Sequence, residues 1–183
     1  MEFEAEPPPE NPEGKCRGAQ HIIIPSELHS AYERGPFRKC SVCSLDLSSG
    51  GLYELQKVYR GKEVVFEMAV CQKCAEAAAR EFSEESMDAL KGFLLSNFKP
   101  ARETVHCHFC GFPRALTSGY TIVGACKASF LLVPPIVLCD RCSEKLHAGL
   151  SRKTREAQQD FVENNFPGVP ADMDLNPTFS GLV

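Results

Sequence analysis

Apolar and polar positions change their rhythm along the chain in a way that predicts a hairpin and then helices. "LYELQKVY" and "EVVFEMAV", residues 52–59 and 63–70, are β-rich runs, and the "RGK" between them offers Gly61 for a positive φ, so the pair predicts a β-hairpin. Beyond it, Ala75, Ala78, Ala79 and Phe82 follow a short helical stripe. Ser83, with acids after it, then predicts a fresh N-cap for a helix that carries Met87, Leu90, Phe93 and Leu94, ends near Phe98 and is stopped by Pro100. The layout returns further on. "YTIVGACK" and "SFLLV" predict a second hairpin whose later strand is confined to an edge, or ended early, by Pro134 and Pro135. Leu146 and Leu150, a cap at Ser151, then Phe161, Val162 and Phe166 complete the copy, with Pro167 as the stop. Its helix from Arg152 to Asn165 is much more polar than its counterpart, so fewer of its faces can be buried.

The cysteines show that the return is a repeat. Cys40 and Cys43 recur as Cys107 and Cys110, and Cys71 and Cys74 recur, with the offset longer by a single position, as Cys139 and Cys142. From the Cys71 and Cys139 pair the register then holds without a gap to Phe98 and Phe166. Its identities include Glu76 with Glu144, Ser83 with Ser151, Ala89 with Ala157, Phe93 with Phe161, and Asn97 with Asn165. Helix-to-helix likeness alone would not also reproduce the upstream cysteine spacing, so the sequence reads as a duplication. The chain divides into an acidic, proline-rich flexible leader (1–20), a linker or added strand and helical turn (21–36), repeat one (37–100), repeat two (101–167) and an extended tail (168–183). Within the linker, Ile22 to Ile24 suit an edge strand and "PSELHSAYE" a helical turn or two.

Composition narrows the class. With 43% hydrophobic and 24% charged residues among 183, the chain reads as soluble and globular, with one ordinary domain or two small ones. The start lacks the order of a signal peptide, and its longest apolar run, "FLLVPPIVL", is far short of the roughly 20 residues that span a bilayer. Cytoplasmic, reducing surroundings are therefore expected, where paired cysteines hold metal more often than they oxidise.

In each repeat two CxxC pairs flank the hairpin, Cys43 being followed by Cys71 and Cys110 by Cys139, and this is the spacing of four-thiolate metal sites. A two-residue gap lets both thiolates of a pair face one ion, and two pairs complete the tetrahedron that Zn²⁺ prefers. The expected ligand sets are Cys40, Cys43, Cys71 and Cys74, and separately Cys107, Cys110, Cys139 and Cys142, with two Zn²⁺ per chain; four-thiolate iron stays open. A cysteine turn, a hairpin and a second pair opening a helix resemble the treble-clef zinc finger. In repeat two, "CHFCG" followed by "IVLCDRC" resembles the zinc-binding domain at the N-terminus of the ClpX unfoldase, a treble clef that dimerises and binds adaptor and substrate proteins. That likeness covers the zinc core alone. The longer spacing between the pairs departs from that domain, and its motor is absent. What the resemblance implies is a fold: a small, metal-stabilised α+β protein of two tandem treble-clef-like units.

A site closed by four cysteines leaves no position for water or substrate, so the metals are expected to be structural and the protein non-enzymatic. HNH-type nucleases, which share the treble clef, place a histidine between the cysteine pairs; residues 44–70 and 111–138 contain none, and no HxE motif of a zinc deaminase precedes either pair. His106 and His108 flank Cys107 and read as exposed residues of the knuckle rather than ligands, and His147 as an ordinary helix residue. Cys126 reads as a buried small hydrophobe, and Cys16 as a thiol of the leader beside Lys15 and Arg17.

Two functions then remain. A protein-interaction adaptor or assembly factor would use leftover apolar surface, edge strands or the tail, and a homodimer stays open. A nucleic-acid binder would use Arg141, Lys145, Arg152, Lys153 and Arg155, but Asp140, Glu144 and Glu156 interleave them, and the segment from Arg102 to Phe166 is only slightly basic, with eight bases against six acids. The helix faces themselves are expected to pack on their own hairpins, or on each other about a pseudo-twofold axis.

Overall fold

A computed structural model describes residues 22–100 and 102–169. In chain order its elements are β1 (Ile22–Ile23), a 3₁₀ turn at Ser26–Leu28, β2 (Leu52–Arg60), β3 (Glu63–Cys71), α1 (Gln72–Arg80), α2 (Glu84–Asn97), a 3₁₀ turn at Arg114–Leu116, β4 (Gly119–Lys127), β5 (Phe130–Leu131), β6 (Ile136–Cys139), α3 (Asp140–Ala148) and α4 (Arg152–Asn165). The molecule is a mixed α+β protein built on one antiparallel sheet of order β1-β5-β4-β2-β3, with β6 also paired to β4.

The first hairpin turns at Gly61, whose φ of 59° is the positive angle expected there. In the second, Pro134 and Pro135 split the returning strand. β5 pairs only through Phe130 and Leu131, and β6 resumes at Ile136 and carries the ladder to Cys139. Ile22 and Ile23 extend the edge by pairing with Leu131 and Phe130.

The strands of both repeats share the sheet because β2 pairs with β4 along its whole length, Leu52 opposite Lys127 and Arg60 opposite Gly119. Gln56 lies opposite Val123, and the same sequence offset that relates Cys40 to Cys107 relates these two residues to each other. At this register the local twofold axis of the two antiparallel strands passes between them.

The sheet is covered on both faces. On one side Tyr53, Leu55, Tyr59, Ile122 and Val137 pack under Ile24, Leu28, Phe37 and Leu47 of the N-terminal segment. A buried ion pair ties that segment down: Lys57 Nζ lies 3.3 Å from Glu67 Oε2 and donates to the His29 carbonyl at 2.5 Å, while Glu67 accepts from Ser30 Oγ at 2.8 Å and from the Ala31 amide at 2.9 Å. On the other side lie the helices.

The helices are exchanged between halves. α2 packs beside α3 and α4 beside α1. Phe93 and Phe98 of repeat one meet Phe109 of repeat two with ring centres 5.1 and 5.7 Å apart, and Phe166 of repeat two meets Phe66 of repeat one edge-on at 5.1 Å. Of the two packings expected from sequence, it is the packing of the copies on each other that occurs. Each half partly covers the other's aromatic stripe, and the ring pairs contribute about 0.5–1.5 kcal/mol each.

Candidate metal centres

Each cluster is assembled from two places: a knuckle before the hairpin and the start of the helix after it. The knuckles are built alike. Ser44 N–H donates to the Cys40 carbonyl and Gly111 N–H to the Cys107 carbonyl, both at 2.9 Å, while Cys40 and Cys107 amides donate to the Leu45 and Phe112 carbonyls at 2.8 and 2.9 Å. These bonds curl the chain so that both sulfurs of a pair face inward. The turn needs a left-handed residue after the second cysteine, and φ is 62° at Ser44 and 77° at Gly111. The knuckle is fastened to its hairpin by Ser41 N–H to the Ala69 carbonyl at 2.7 Å, and in repeat two by His108 N–H to the Val137 carbonyl at 2.9 Å.

The third cysteine of each set is a helix N-cap residue, Cys71 for α1 and Cys139 for α3, and the fourth lies in the first turn. Helix N-termini direct unpaired N–H groups and positive partial charge toward these sulfurs. The Cys71 amide donates to Cys40 Sγ at 3.4 Å and the Cys139 amide to Cys107 Sγ at 3.5 Å.

Within each set, Cys40, Cys43, Cys71, Cys74 and Cys107, Cys110, Cys139, Cys142, the four sulfurs lie within 4.8 Å of one another. Cys43 Sγ is 3.7 Å from Cys71 Sγ, and Cys110 Sγ is 3.6 Å from Cys139 Sγ. A tetrahedral ion with sulfurs at about 2.3 Å holds them about 3.8 Å apart. A disulfide would need about 2.05 Å. The spacing thus fits metal ligation. One sulfur of each set is poised to ionise: burial opposes ionisation of Cys40, but N–H groups of Cys71, Cys43 and Val42 outweigh it and bring its thiol down to about 7. Hydrogen bonds from the Cys139 and Cys142 thiols hold Cys107 well below the ordinary thiol range, with burial opposing and the amides of Cys110 and Cys139 assisting. Burial pushes the Cys71 and Cys74 thiols up, and the neighbouring Cys107 sulfur pushes up Cys139 and Cys142, so four thiolates can share either cage only with a cation to neutralise them.

The remaining candidates fall in different places. His108 is a correction: it is buried, 2% exposed, not a surface residue of the knuckle. Its Nδ1 accepts from the Val137 amide at 3.0 Å, its ring stacks on Phe98 at 5.9 Å, and burial pushes its pKa below the ordinary value, so the neutral ring serves as packing. His106 is half-buried beside it and His147 half-buried on α3. Cys126 is fully buried in β4, and burial raises its thiol to about 12. Arg141 lies over the Phe112 ring at 4.4 Å, Arg152 is paired with Glu156 at 2.7 Å, and Lys145, Lys153 and Arg155 are exposed on α3 and α4. Cys16, His21, the leader and the tail from 170 onward lie outside the described residues.

Sequence reasoning missed a cleft of about 320 Å³ between β3, α1 and α4, with Gln158 in its lining. The one signal in the sequence was the polar residue at a position where the other copy has Leu90. No known protein family, curated protein or solved structure matches the chain. Among the described residues no helix is long and apolar enough to cross a membrane.

Proposed function

We propose that this chain is a non-enzymatic protein-interaction adaptor, two treble-clef units joined by duplication and fastened by two structural Zn²⁺ ions. The observation that carries the reading is the closure of both sites: each cluster offers four sulfurs, which saturate a tetrahedral ion and leave no position for substrate or activated water. Four thiolates favour zinc among divalent ions of a reducing compartment such as the cytoplasm. Knuckle, hairpin, and a cysteine pair at a helix N-terminus give each half the treble-clef order. The halves pair across β2 and β4, which joins the two units in one sheet.

Support for a protein partner over nucleic acid comes from surface chemistry. The basic residues of α3 and α4 are partly engaged by Phe112 and Glu156, whereas Ile23, Phe130, Leu132 and Val133 leave an apolar margin exposed around β5. Elemental analysis and a salt-dependent probe test the reading together. About two zinc ions per chain and no shift of random DNA or RNA at low salt are expected. One ion or none would sink the duplicated site, and tight, salt-sensitive nucleic-acid binding would replace the adaptor role with the basic helices of repeat two.

A further inference from the structure

The repeat makes each half a control for the other, and one matched pair of places differs sharply. Behind β6, the space between α2 and α3 is filled: Leu90, Leu138, Leu146 and Leu150 are all buried in one cluster. Behind β3, the equivalent space between α4 and α1 is the cleft of about 320 Å³. The register that matches Cys71 with Cys139 says why. Ala78 stands where repeat two has Leu146, and Gln158 stands where repeat one has Leu90, so a leucine pair has become an alanine and an amide. Removing that much side chain from a packed core ordinarily destabilises it unless something else occupies the space.

Gln158 points to what that something is. It is 3% exposed, and among the described residues neither its amide oxygen nor its nitrogen has a hydrogen-bond partner. A buried amide left this way is destabilising, because it has given up its bonds to water without replacing them. Around it the cleft is apolar, with Met68, Val70, Phe82 and Phe161. Glu81 and Asp160 add two carboxylates, which have no salt-bridge partner among the described residues, at places where the other half has Gly149 and Gly92. Three changes in one half thus go together: space, an amide offering both donor and acceptor, and negative charge.

We propose that this cleft is a peptide-binding site for a partner protein, taking an apolar side chain among Met68, Val70, Phe82 and Phe161, with the flanking main-chain amide on Gln158 and an adjacent lysine or arginine toward Glu81 and Asp160. The proposal rests on the adaptor reading and locates its binding surface. A peptide group matches the Gln158 amide because it too presents one N–H and one C=O. The chain's own tail is a poor occupant, since Asp172 and Asp174 would meet the two carboxylates.

The test is selection from a random heptapeptide display library on the full-length, zinc-loaded protein. Enriched sequences are expected to place Leu, Ile, Met or Phe beside Lys or Arg, and the chosen peptide to shift the Met68 methyl resonance. The variant Ala78→Leu with Gln158→Leu restores the leucine pair of the other half; it should keep both zinc ions and bind the peptide about tenfold more weakly or worse. Should that variant fold poorly, Glu81→Gln with Asp160→Asn changes charge alone and should remove the preference for the basic neighbour. Peptides that bind wild type and filled variant equally overturn the cleft while leaving the adaptor reading intact. No enriched peptide and no partner in a pull-down overturn both. A Met68 shift that grows with protein concentration, or that changes in the full chain on Phe179→Ala, would assign the cleft to a second copy or to the tail and overturn the partner.

Discussion

Ser83 and Ser151 meet hydroxyl to hydroxyl at 2.8 Å, and they are the same residue of the two repeats. Each is the N-cap of its own helix, accepting from the amide of Ser86 or Thr154 at 3.2 Å. Each also donates its own backbone N–H to the other helix's hydroxyl, Ser83 to Thr154 Oγ1 at 3.0 Å and Ser151 to Ser86 Oγ at 2.8 Å. The caps of α2 and α4 are therefore one shared network.

That sharing predicts that the two caps lose stability as a coupled pair, each at the upper part of the ordinary cap range. Ser83→Ala or Ser151→Ala should each cost about 1–2 kcal/mol. The double variant should cost clearly less than the sum, because the first substitution already deprives the second serine of a partner, with a coupling of about 0.5–3 kcal/mol. Denaturant unfolding of the four proteins closes the cycle. Simple additivity would show that the two caps act separately.

The metals should hold one structure rather than two. Cys43→Ser and Cys110→Ser remove one ligand from each cluster, and either should lower zinc from about two ions per chain to about one. Since β2 and β4 share a ladder along their whole length and the helices are exchanged, the loss is expected to lower a single unfolding transition by several kcal/mol instead of melting half the molecule. Calorimetry with metal analysis reads both outcomes, and two separated transitions would contradict the shared fold.

What was legible in the sequence was local. Eight cysteines at fixed spacing, turn residues such as Gly61, caps at Ser83 and Ser151, and stops at Pro100 and Pro167 act over a few residues, and each kept its place. What was not legible depended on encounters between distant segments. The stripe of Phe93 and Phe98 suits its own hairpin as well as its neighbour's, so periodicity alone could not reveal the exchange. His108 is polar beside a knuckle, and only the arrival of Phe98 from α2 buries it. Gln158 sits in a polar helix, and its burial follows from α4 lying against the other half's α1 and β3.

Lys57 is a charge in the middle of a strand whose neighbours are buried, and its partner Glu67 is equally enclosed, with side chains 4% exposed in both. Lys57→Met should destabilise by about 3–5 kcal/mol, because it strands the carboxylate. Adding Glu67→Leu should recover part of that loss and no more, since the bonds from Ser30 and Ala31 to Glu67 are then gone too. Urea unfolding of the wild type and the two variants decides it. A double variant as unstable as the single one would mean that the pair itself is not what Lys57 supports.

Two left-handed residues carry side chains where their repeat partners are glycine. Ser44 has φ 62° opposite Gly111, and Ala128 has φ 51° opposite Gly61. A left-handed residue bearing a Cβ costs roughly 1–2 kcal/mol, partly offset by the extra chain entropy that glycine loses on folding. Ser44→Gly and Ala128→Gly are therefore expected to stabilise by about 0.5–1 kcal/mol each. At Ala128 the gain keeps the hydrogen bond from Tyr53 Oη, because its acceptor is the backbone carbonyl. The reverse change supplies the sign control: Gly111→Ala places a Cβ 3.0 Å from the Arg102 guanidinium carbon in a left-handed turn, and should destabilise by at least as much. Thermal melts of the metal-loaded variants measure all three, and a loss of stability at Ser44→Gly would mean that its side chain supports the knuckle more than its backbone angle strains it.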